Sequence, residues 1–386
     1  MSKCKLIKNG IVYYPSNPTG STYCCVGEQS STEARKRFPL SNWNKKREYE
    51  LAEYEKSKQG WLLPCNECKL TESADSVSSQ RKIYNKHLKN VTDEDTNIYI
   101  AKIMSSNVCN LSCRMCGPNA STRWQNILKN NPNKYHKQYV KHECDETDLT
   151  YLKQFVLTNK LEHINFSGGE PLLGKWNEDI MNYLEIKDYC KQLDFSVVTN
   201  GSIKFSDRWI NSINSCKSAH ITFSIDGVND VFNYIRADHN WDKLLDVLQD
   251  TASKIDNGVD MNCCYVMQAL NAHTYWRDMN EITTIFKELG HSNMDLIGED
   301  AQYCSDPALT FAVVHPKLRE KYNITKLAAV YEFSLDRYRV FMGQMAWQDR
   351  IHSTSLKEHN PDFFNTEYYP QELIDAYYYK GAQPYV

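Results

Sequence analysis

The sequence has no long hydrophobic run and no hydrophobic segment near its first residue. A membrane-spanning helix needs roughly 18 or more consecutive apolar residues. A secretory signal needs an apolar segment close to the start, where this chain reads Met-Ser-Lys-Cys-Lys-Leu. We therefore expect a protein that does not enter a membrane and that stays in the cytoplasm.

The chain also lacks a dominant sign of charge, since its 386 residues carry a formal net charge of −3. No global basic field favours a nucleic-acid partner. We expect the basic clusters at 35–37, 45–47 and 123–141 to be solvated helix faces, with attraction of a substrate or partner as the alternative. A Ser/His/Asp triad, a Walker phosphate loop and a His-Glu-x-x-His helix are absent too. The chemistry must therefore come from other residues.

Cysteine, in contrast, is abundant, with fourteen residues. Reducing cytosol keeps thiols free, so these cysteines are not expected to form a disulfide framework, and some of them are expected to hold metal. The scattered ones are read as small buried hydrophobic residues. They are Cys144, Cys190, Cys216, Cys263, Cys264 and Cys304.

Cys109, Cys113 and Cys116 form the densest cysteine group, with three and then two residues between them. Three thiolates on one loop can hold three irons of a cubane iron–sulfur cluster and leave the fourth iron without a protein ligand. The next residues, 117–120, offer no fourth cysteine or histidine for a closed structural site. Zinc and free buried thiols remain alternatives on the spacing alone.

Strands and helices are predicted to alternate from about residue 98, which implies a parallel sheet with crossover helices. The predicted strands are 98–104, 163–167, 194–199, 220–225, 260–267 and 294–297. Helices are predicted at 176–193, 241–255 and 276–289, and after residue 305 the pattern is mostly helical at 316–348 and 361–379.

The C-x3-C-x2-C spacing resembles the signature of the radical S-adenosylmethionine (radical SAM) superfamily. The stretch from Ser167 through Gly168, Gly169 and Glu170 to Pro171 matches the Gly-Gly-Glu motif of that family. The resemblance implies a 4Fe-4S cluster on the three cysteines, with the open iron chelated by SAM and the methionyl amine bound by the Gly-Gly-Glu backbone and acid. A Gly-Gly pair alone would more often mark a turn.

The same resemblance suggests further contacts to SAM. Asn200, Ser224 and Asp226 lie at predicted strand ends and are expected near the ribose or the carboxylate, although Asn-Gly and Asp-Gly also form plain turns. Arg236 is expected to bind a carboxylate of cofactor or substrate, or to form a surface salt bridge. Met115 stands where relatives carry an aromatic residue against the adenine.

Residues 1–92 form a cysteine-rich segment with little apolar periodicity. Its candidate ligands for zinc or for a second cluster are Cys4, Cys24, Cys25, Cys65 and Cys68. The stretch 60–81 resembles the SPASM and twitch modules that bind auxiliary 4Fe-4S clusters. In most of those relatives the module follows the barrel, whereas here it would precede it.

The resemblance implies an α/β fold, a partial (β/α)6 TIM-like barrel at 93–305, between the auxiliary module at 1–92 and a helical extension at 306–386. It also implies a low-potential electron donor such as flavodoxin or ferredoxin, and one or two 4Fe-4S clusters.

The implied reaction is reductive cleavage of SAM, followed by hydrogen abstraction from a substrate, with oxidation or bond formation. A peptide or protein is the leading substrate, and a small sugar-like alcohol is the alternative. A zinc-stabilised nucleic-acid-binding module is the alternative from another functional class, and the acidic net charge argues against it.

Overall fold

The computed structural model describes residues 4–13, 52, 80–92, 94–95, 97–130, 143, 146–291, 302–304 and 306–379. Six strands form one parallel sheet, and their order in the sheet follows their order in the chain. The strands are β1 (Gly10–Tyr13), β2 (Ile100–Ile103), β3 (His163–Phe166), β4 (Asp194–Thr199), β5 (Ser218–Ser224) and β6 (Val259–Cys264). A separate parallel pair joins β7 (Val266–Met267) to β8 (Gln302–Tyr303).

Helices connect these strands and continue beyond the sheet. The first seven described are α1 (Leu6–Asn9), α2 (Gln80–His87), α3 (Thr122–Asn130), α4 (Glu146–Thr158), α5 (Lys175–Ile186), α6 (Asp207–Asn214) and α7 (Asn229–Ile235). They are followed by α8 (Trp241–Ala252), α9 (Tyr275–Glu288), α10 (Pro316–Lys321), α11 (Leu335–His352), α12 (Leu356–His359) and α13 (Gln371–Tyr378).

The predicted α/β class with a parallel sheet is confirmed. Strands β2 to β6 lie where five strands were predicted. Helices α5, α8 and α9 begin within one residue of the predicted starts and end one to seven residues before the predicted ends. The sixth predicted strand, 294–297, lies outside the described residues.

Strand β1 was not predicted, and it makes the predicted first strand the second one in the sheet. Gly10 pairs with Ile100, far along the chain. The segment before β1 is held by polar contacts: Lys5 Nζ donates to Val91 O over 2.6 Å, and Asn9 Nδ2 donates to Asn97 O over 2.9 Å. A strand of only four residues is too short to show a clear alternation of apolar and polar residues, so the sequence did not reveal it.

Buried and half-exposed side chains alternate along β4, β5 and β6, which gives the sheet two different faces. In β4 and β5 every second residue is buried, including Phe195, Val197, Ile221 and Phe223, and these pack against the helices in one continuous core. The opposite face is half-exposed and mostly polar. The sheet therefore has one helix-covered apolar face and one polar face.

The C-terminal region is less continuously helical than predicted for 316–348. Helix α10 ends at Lys321, Asn323 adopts a positive φ of 57°, and α11 begins only at Leu335. The buried side chain of Arg319 binds four backbone carbonyls, those of Phe311 and Val314 before α10 and those of Ala328 and Tyr331 in this connection. These bonds satisfy backbone groups that a continuous helix would have used.

Among the described residues, no helix combines the length and the apolar character that a membrane crossing requires.

Candidate active site

The carboxyl ends of the parallel strands meet at one edge of the sheet, and the chemistry-bearing motifs follow these ends. The loop 104–121 follows β2, the Gly-Gly-Glu motif follows β3, Asn200 follows β4 and Asp226 follows β5. Binding sites of parallel α/β proteins form at this edge. The structure thus brings together groups that lie more than a hundred residues apart in the chain.

The cysteine loop is anchored by hydrogen bonds from two directions. On one side, Cys109 N donates to Thr122 Oγ1 over 3.2 Å, and Trp124 Nε1 donates to Cys113 O over 3.0 Å. On the other side, Ser112 N donates to Ala237 O over 3.2 Å. The first two partners belong to α3 and the third follows α7, so two segments fix the loop.

The three thiols differ in exposure and in acidity. Cys113 is buried, Cys109 is half-buried and Cys116 is exposed. Burial and then the neighbouring Cys113 raise the pKa of Cys109 to about 11. The pKa of Cys113 is lowered, first by its hydrogen bond with Cys116 and then by the positive charge of Arg236. Cys113 is therefore the thiol held most readily as a thiolate, the form that binds metal.

The glycine pair after β3 lets two backbone segments approach each other. Gly168 and Gly169 have φ angles of 81° and 44°, which L side chains rarely adopt. A Cβ on Gly169 would lie 2.4 Å from Val108 O. The next residue, Glu170, donates its N–H to the same oxygen over 2.7 Å. The motif thus rests directly on the residue before Cys109.

Glu170 is fully buried, and its carboxylate joins the ends of β3 and β4. Oε1 accepts from Leu172 N over 3.1 Å and from Thr199 Oγ1 over 2.8 Å, and Oε2 accepts from Asn200 N over 2.7 Å. The first bond caps the short 3-10 turn Pro171–Leu173. Burial raises the pKa of Glu170, against the effect of these bonds.

Asn200 and Arg236 both direct N–H groups at cysteine sulfur. Asn200 Nδ2 lies 3.7 Å from Cys109 Sγ, and Arg236 Nη1 lies 3.8 Å from Cys113 Sγ. Arg236 Nε also forms a 2.6 Å ion pair with Asp226 Oδ2, in which Asp226 is fully buried. Arg236 is therefore a buried partner of the cysteine loop, and the alternative of a surface salt bridge is wrong.

The other expected contacts are more peripheral in this arrangement. Ser167 is buried, and its hydroxyl has no hydrogen-bond partner among the described residues. Ser224 is half-exposed at the end of β5, and Met115 packs half-buried against the main core. Their roles towards SAM stay predictions.

The N-terminal candidates are almost entirely outside the described residues. Cys24, Cys25, Cys65 and Cys68 all lie there, as does nearly all of the stretch that resembles the SPASM and twitch modules. Cys4 is half-buried and packs against the cluster of Leu6 and Leu88. An auxiliary cluster or zinc site in residues 1–92 therefore stays a prediction.

Among the described residues, no group of three or more His, Cys, Asp or Glu side chains is arranged to hold a single metal ion. A cubane cluster has a different geometric requirement, because each thiolate binds a separate iron.

Sequence reasoning missed Arg114, which stands between Cys113 and Cys116. Its side chain is fully buried and forms a 2.7 Å ion pair with Asp349 of α11. A basic residue inside a cysteine loop gives no sign of such a distant partner. Only the folded chain shows that the C-terminal region supports the loop.

Three groups therefore lie together at the carboxyl edge of a parallel α/β sheet: the three-cysteine loop, the glycine-rich strand end and a buried arginine. Residues 103–292 match the family model of the radical SAM superfamily. Over this range the chain is similar to that superfamily.

Individual relatives match over parts of their length. The radical SAM cyclopropyl synthase TigE of Paramaledivibacter caminithermalis is 26% identical over 176 residues, which are 40% of this chain and 35% of that protein. The chain thus spans about a third of this curated relative.

Two of the similar solved structures are anSMEcpe with bound AdoMet and Streptococcus suis SuiB bound to its precursor peptide SuiA. The first is 20% identical with a TM-score of 0.38, covering 66% of this chain and 62% of that one. The second is 13% identical with a TM-score of 0.38, covering 77% and 58%.

Proposed function

We propose that this chain holds a 4Fe-4S cluster on Cys109, Cys113 and Cys116 and uses it to cleave SAM reductively. The observation that carries the proposal is the convergence of three thiols and two N–H donors at the carboxyl edge of the sheet. Hydrogen bonds to sulfur stabilise and tune iron–sulfur clusters. The donor set therefore fits a cluster with one iron left for SAM.

When bound, the cluster supplies the electron that breaks the C5′–S bond of SAM and yields the 5′-deoxyadenosyl radical. The chain's own residues bind and orient. Arg236 compensates negative charge at Cys113, and Asp226 keeps the guanidinium in place. The positive-φ glycines bring a backbone without side chains to the loop, where a ligand can lie close to it.

Glu170 retains capacity for the methionyl ammonium group. A carboxylate offers about four acceptor positions, and three donors occupy positions on Glu170. An ammonium group would also favour the charged form of a carboxylate whose pKa burial raises. Ser167, Asn200, Ser224 and Met115 complete the set of residues that we assign to SAM.

The polar face of the sheet supports a polar substrate. Asn165 Nδ2 donates to Ser196 Oγ over 2.7 Å, and His220, Thr222 and Asn262 stand on the same half-exposed face. Such groups suit peptide amides and also hydroxyl groups. We propose a peptide or protein as substrate, on the resemblance to the SPASM and twitch group, and a small sugar-like alcohol as the second candidate.

The reaction requires a low-potential electron donor, such as flavodoxin or ferredoxin, and its outcome is an oxidation or a new bond. A second cluster in residues 1–92 would accept the electron left on the substrate radical.

The test is anaerobic purification, iron and sulfide counting, and incubation with SAM and dithionite while 5′-deoxyadenosine is followed. The variant Cys109→Ala/Cys113→Ala/Cys116→Ala should lose cluster and product. The control Cys190→Ala/Cys216→Ala removes two cysteines that precede β4 and β5 and should keep both.

About eight irons per chain indicate two clusters and about four indicate one. Absence of iron and of 5′-deoxyadenosine in reconstituted wild-type protein would contradict the proposal. Turnover of a small alcohol without any peptide would make the second candidate the substrate class.

A further inference from the structure

Arg114 lies inside the cysteine loop and is fully buried. Its backbone is fixed on both sides, because Arg114 N donates to Ile235 O over 2.9 Å and Gln348 Nε2 donates to Arg114 O over 3.1 Å. Its guanidinium lies 3.7 Å above the ring of Tyr234 and donates from Nε to Tyr234 O over 2.7 Å. Two segments outside the loop thus hold the residue between the second and third cysteines.

The remaining guanidinium contacts are with α11 and the residues after it. Arg114 Nη2 lies 2.7 Å from Asp349 Oδ1 and 2.6 Å from Thr354 Oγ1. Arginine presents its donors in a rigid planar fork, so several such contacts fix orientation as well as charge. A lysine could reproduce the charge but not this geometry.

Asp349 is itself held from several directions. Besides Arg114, its carboxylate accepts from Thr354 Oγ1 over 2.8 Å, Tyr377 OH over 2.6 Å and Leu356 N over 2.7 Å. Tyr234 OH also lies 3.1 Å from Oδ1. The donors come from α7, α13, the segment between α11 and α12, and the first residue of α12, so several parts of the chain hold the carboxylate in place.

Aromatic stacking joins the C-terminal region to the two helices that anchor the loop. Trp124, which donates to Cys113 O, stacks on Trp347 with ring centroids 5.6 Å apart and an interplanar angle of 14°. Tyr234 stacks on His359 at 4.0 Å and 13°. Residues 335–379 therefore contact the cysteine loop through polar groups, and they contact α3 and α7, which anchor this loop, through aromatic rings.

A buried ion pair is weak support for stability, since desolvation offsets most of its attraction. Such a pair is better suited to select one geometry. We propose that Arg114 and Asp349 are positioning residues that set the spacing of Cys113 and Cys116 for cluster binding. This inference rests on the proposed function, and it assigns to the C-terminal region a task at the cluster.

The test compares Asp349→Asn and the milder Thr354→Val with the control Asp362→Asn. Asp362 forms an ion pair with Lys321 and accepts from Tyr322 OH in the same C-terminal region, but it does not contact the cysteine loop. Amide hydrogen exchange of residues 112–116 in metal-free protein is the first readout. The electron paramagnetic resonance spectrum and reduction potential of the loaded protein are the second, and urea unfolding is measured alongside.

We expect at least tenfold faster exchange at 112–116 and an altered spectrum in Asp349→Asn, with smaller changes of the same kind in Thr354→Val. Asp362→Asn should leave exchange and spectrum unchanged even where it lowers stability. Wild-type exchange and spectrum in both Asp349→Asn and Thr354→Val would overturn the inference. Wild-type protein that takes up no iron would instead contradict the proposed function, whatever the exchange shows.

Discussion

Two buried carboxylates follow β3 and β5, the strands on either side of β4, and they are held by different kinds of partner. Glu170, after β3, accepts hydrogen bonds from neutral donors. Asp226, after β5, forms an ion pair with Arg236, which also contacts Cys113. Both carboxylates are fully buried. Glu170 therefore joins the ends of two strands, whereas Asp226 holds the positive charge of Arg236 next to a cysteine sulfur.

The two carboxylates also differ in whether a positively charged partner already binds them. The donors in direct contact with Glu170 are neutral, and the positive charge of Arg236 lowers its pKa only from outside these contacts. Glu170 therefore has no ion-pair partner in the part of the chain that the structure describes, and a cationic group could take that position. The charge of Asp226 is compensated by Arg236, so Asp226 acts on the cluster loop through that arginine. Under the proposed function, Glu170 is the carboxylate that we assign to the SAM amine, and Asp226 supports cluster binding through Arg236.

Gly169→Ala should have the largest effect on stability. The N–H of Glu170 can reach Val108 O only if the backbone of Gly169 contacts the cysteine loop. The new Cβ would meet Val108 O at 2.4 Å, at a positive φ. We expect a loss of roughly 3–5 kcal/mol in unfolding free energy, from backbone strain and overpacking. Urea unfolding measures it. Gly117→Ala is the control, since nothing lies within 4 Å of its Cβ, and an equal loss there would contradict the account.

Asp226→Asn should have the next largest effect, because it leaves the Arg236 charge buried without its carboxylate. Breaking a buried pair costs roughly 3–5 kcal/mol, and we expect lower iron occupancy as Arg236 loses its orientation. Iron counting and urea unfolding test this. Asp260→Asn is the matched control: its contact with His220 is half-exposed, so the loss should stay below about 1 kcal/mol. Unchanged iron binding in Asp226→Asn would break the comparison.

Glu170→Gln should cost less, about 1–2 kcal/mol near pH 7, since it exchanges one acceptor for a donor facing existing donors. Its pH dependence gives a sharper result. Because the folded state raises the pKa of Glu170 above 4.5, folding favours the protonated acid. The stability from this effect is present below pH 4.5 and is lost as pH rises through the folded pKa.

The unfolding free energy of wild type relative to Glu170→Gln should therefore increase as pH is lowered from 7 towards 4.5. Paired urea titrations across this range measure the difference. A difference that decreases with acidification would show that Glu170 is held as a stabilised anion, like an ion-paired carboxylate.

The smallest expected effect is that of Asn200→Ala. Its side chain makes a long 3.7 Å contact with Cys109 Sγ and a 3.2 Å bond to Asn110 Oδ1. Removing one hydrogen bond to sulfur should lower the cluster potential with little change in stability, by about 1 kcal/mol or less. Potentiometric titration tests this, with Ser202→Ala as a control that bonds Asn110 but not sulfur.

Local sequence patterns predicted the sheet and the motifs. They did not predict the distant residues that hold the motifs in place. Strands β4 and β5 alternate clearly, and the spacing of Cys109, Cys113 and Cys116 is local in sequence. The pairing of Gly10 with Ile100 and the ion pair of Arg114 with Asp349 depend on contacts between distant segments. Nothing in the local sequence distinguishes Asp349 from the other acidic residues of a helix.

The sequence also did not predict the different roles of Glu170 and Asp226, because their partners come from other segments of the chain. The turn patterns after β3 and β5 predicted polar strand ends. Two partners of Glu170, however, lie at the end of β4 and directly after it, and the charged partner of Asp226 follows α7. Which acid is compensated is therefore a property of the folded chain.

The most direct test of the central claim is the electron paramagnetic resonance spectrum of the dithionite-reduced protein, recorded before and after addition of SAM. The account predicts a reduced-cluster signal whose g values shift when SAM binds, and whose SAM-sensitive component is missing from Cys109→Ala/Cys113→Ala/Cys116→Ala. A signal that ignores SAM, or one that persists unchanged in the triple variant, would contradict a SAM-binding cluster on these three cysteines.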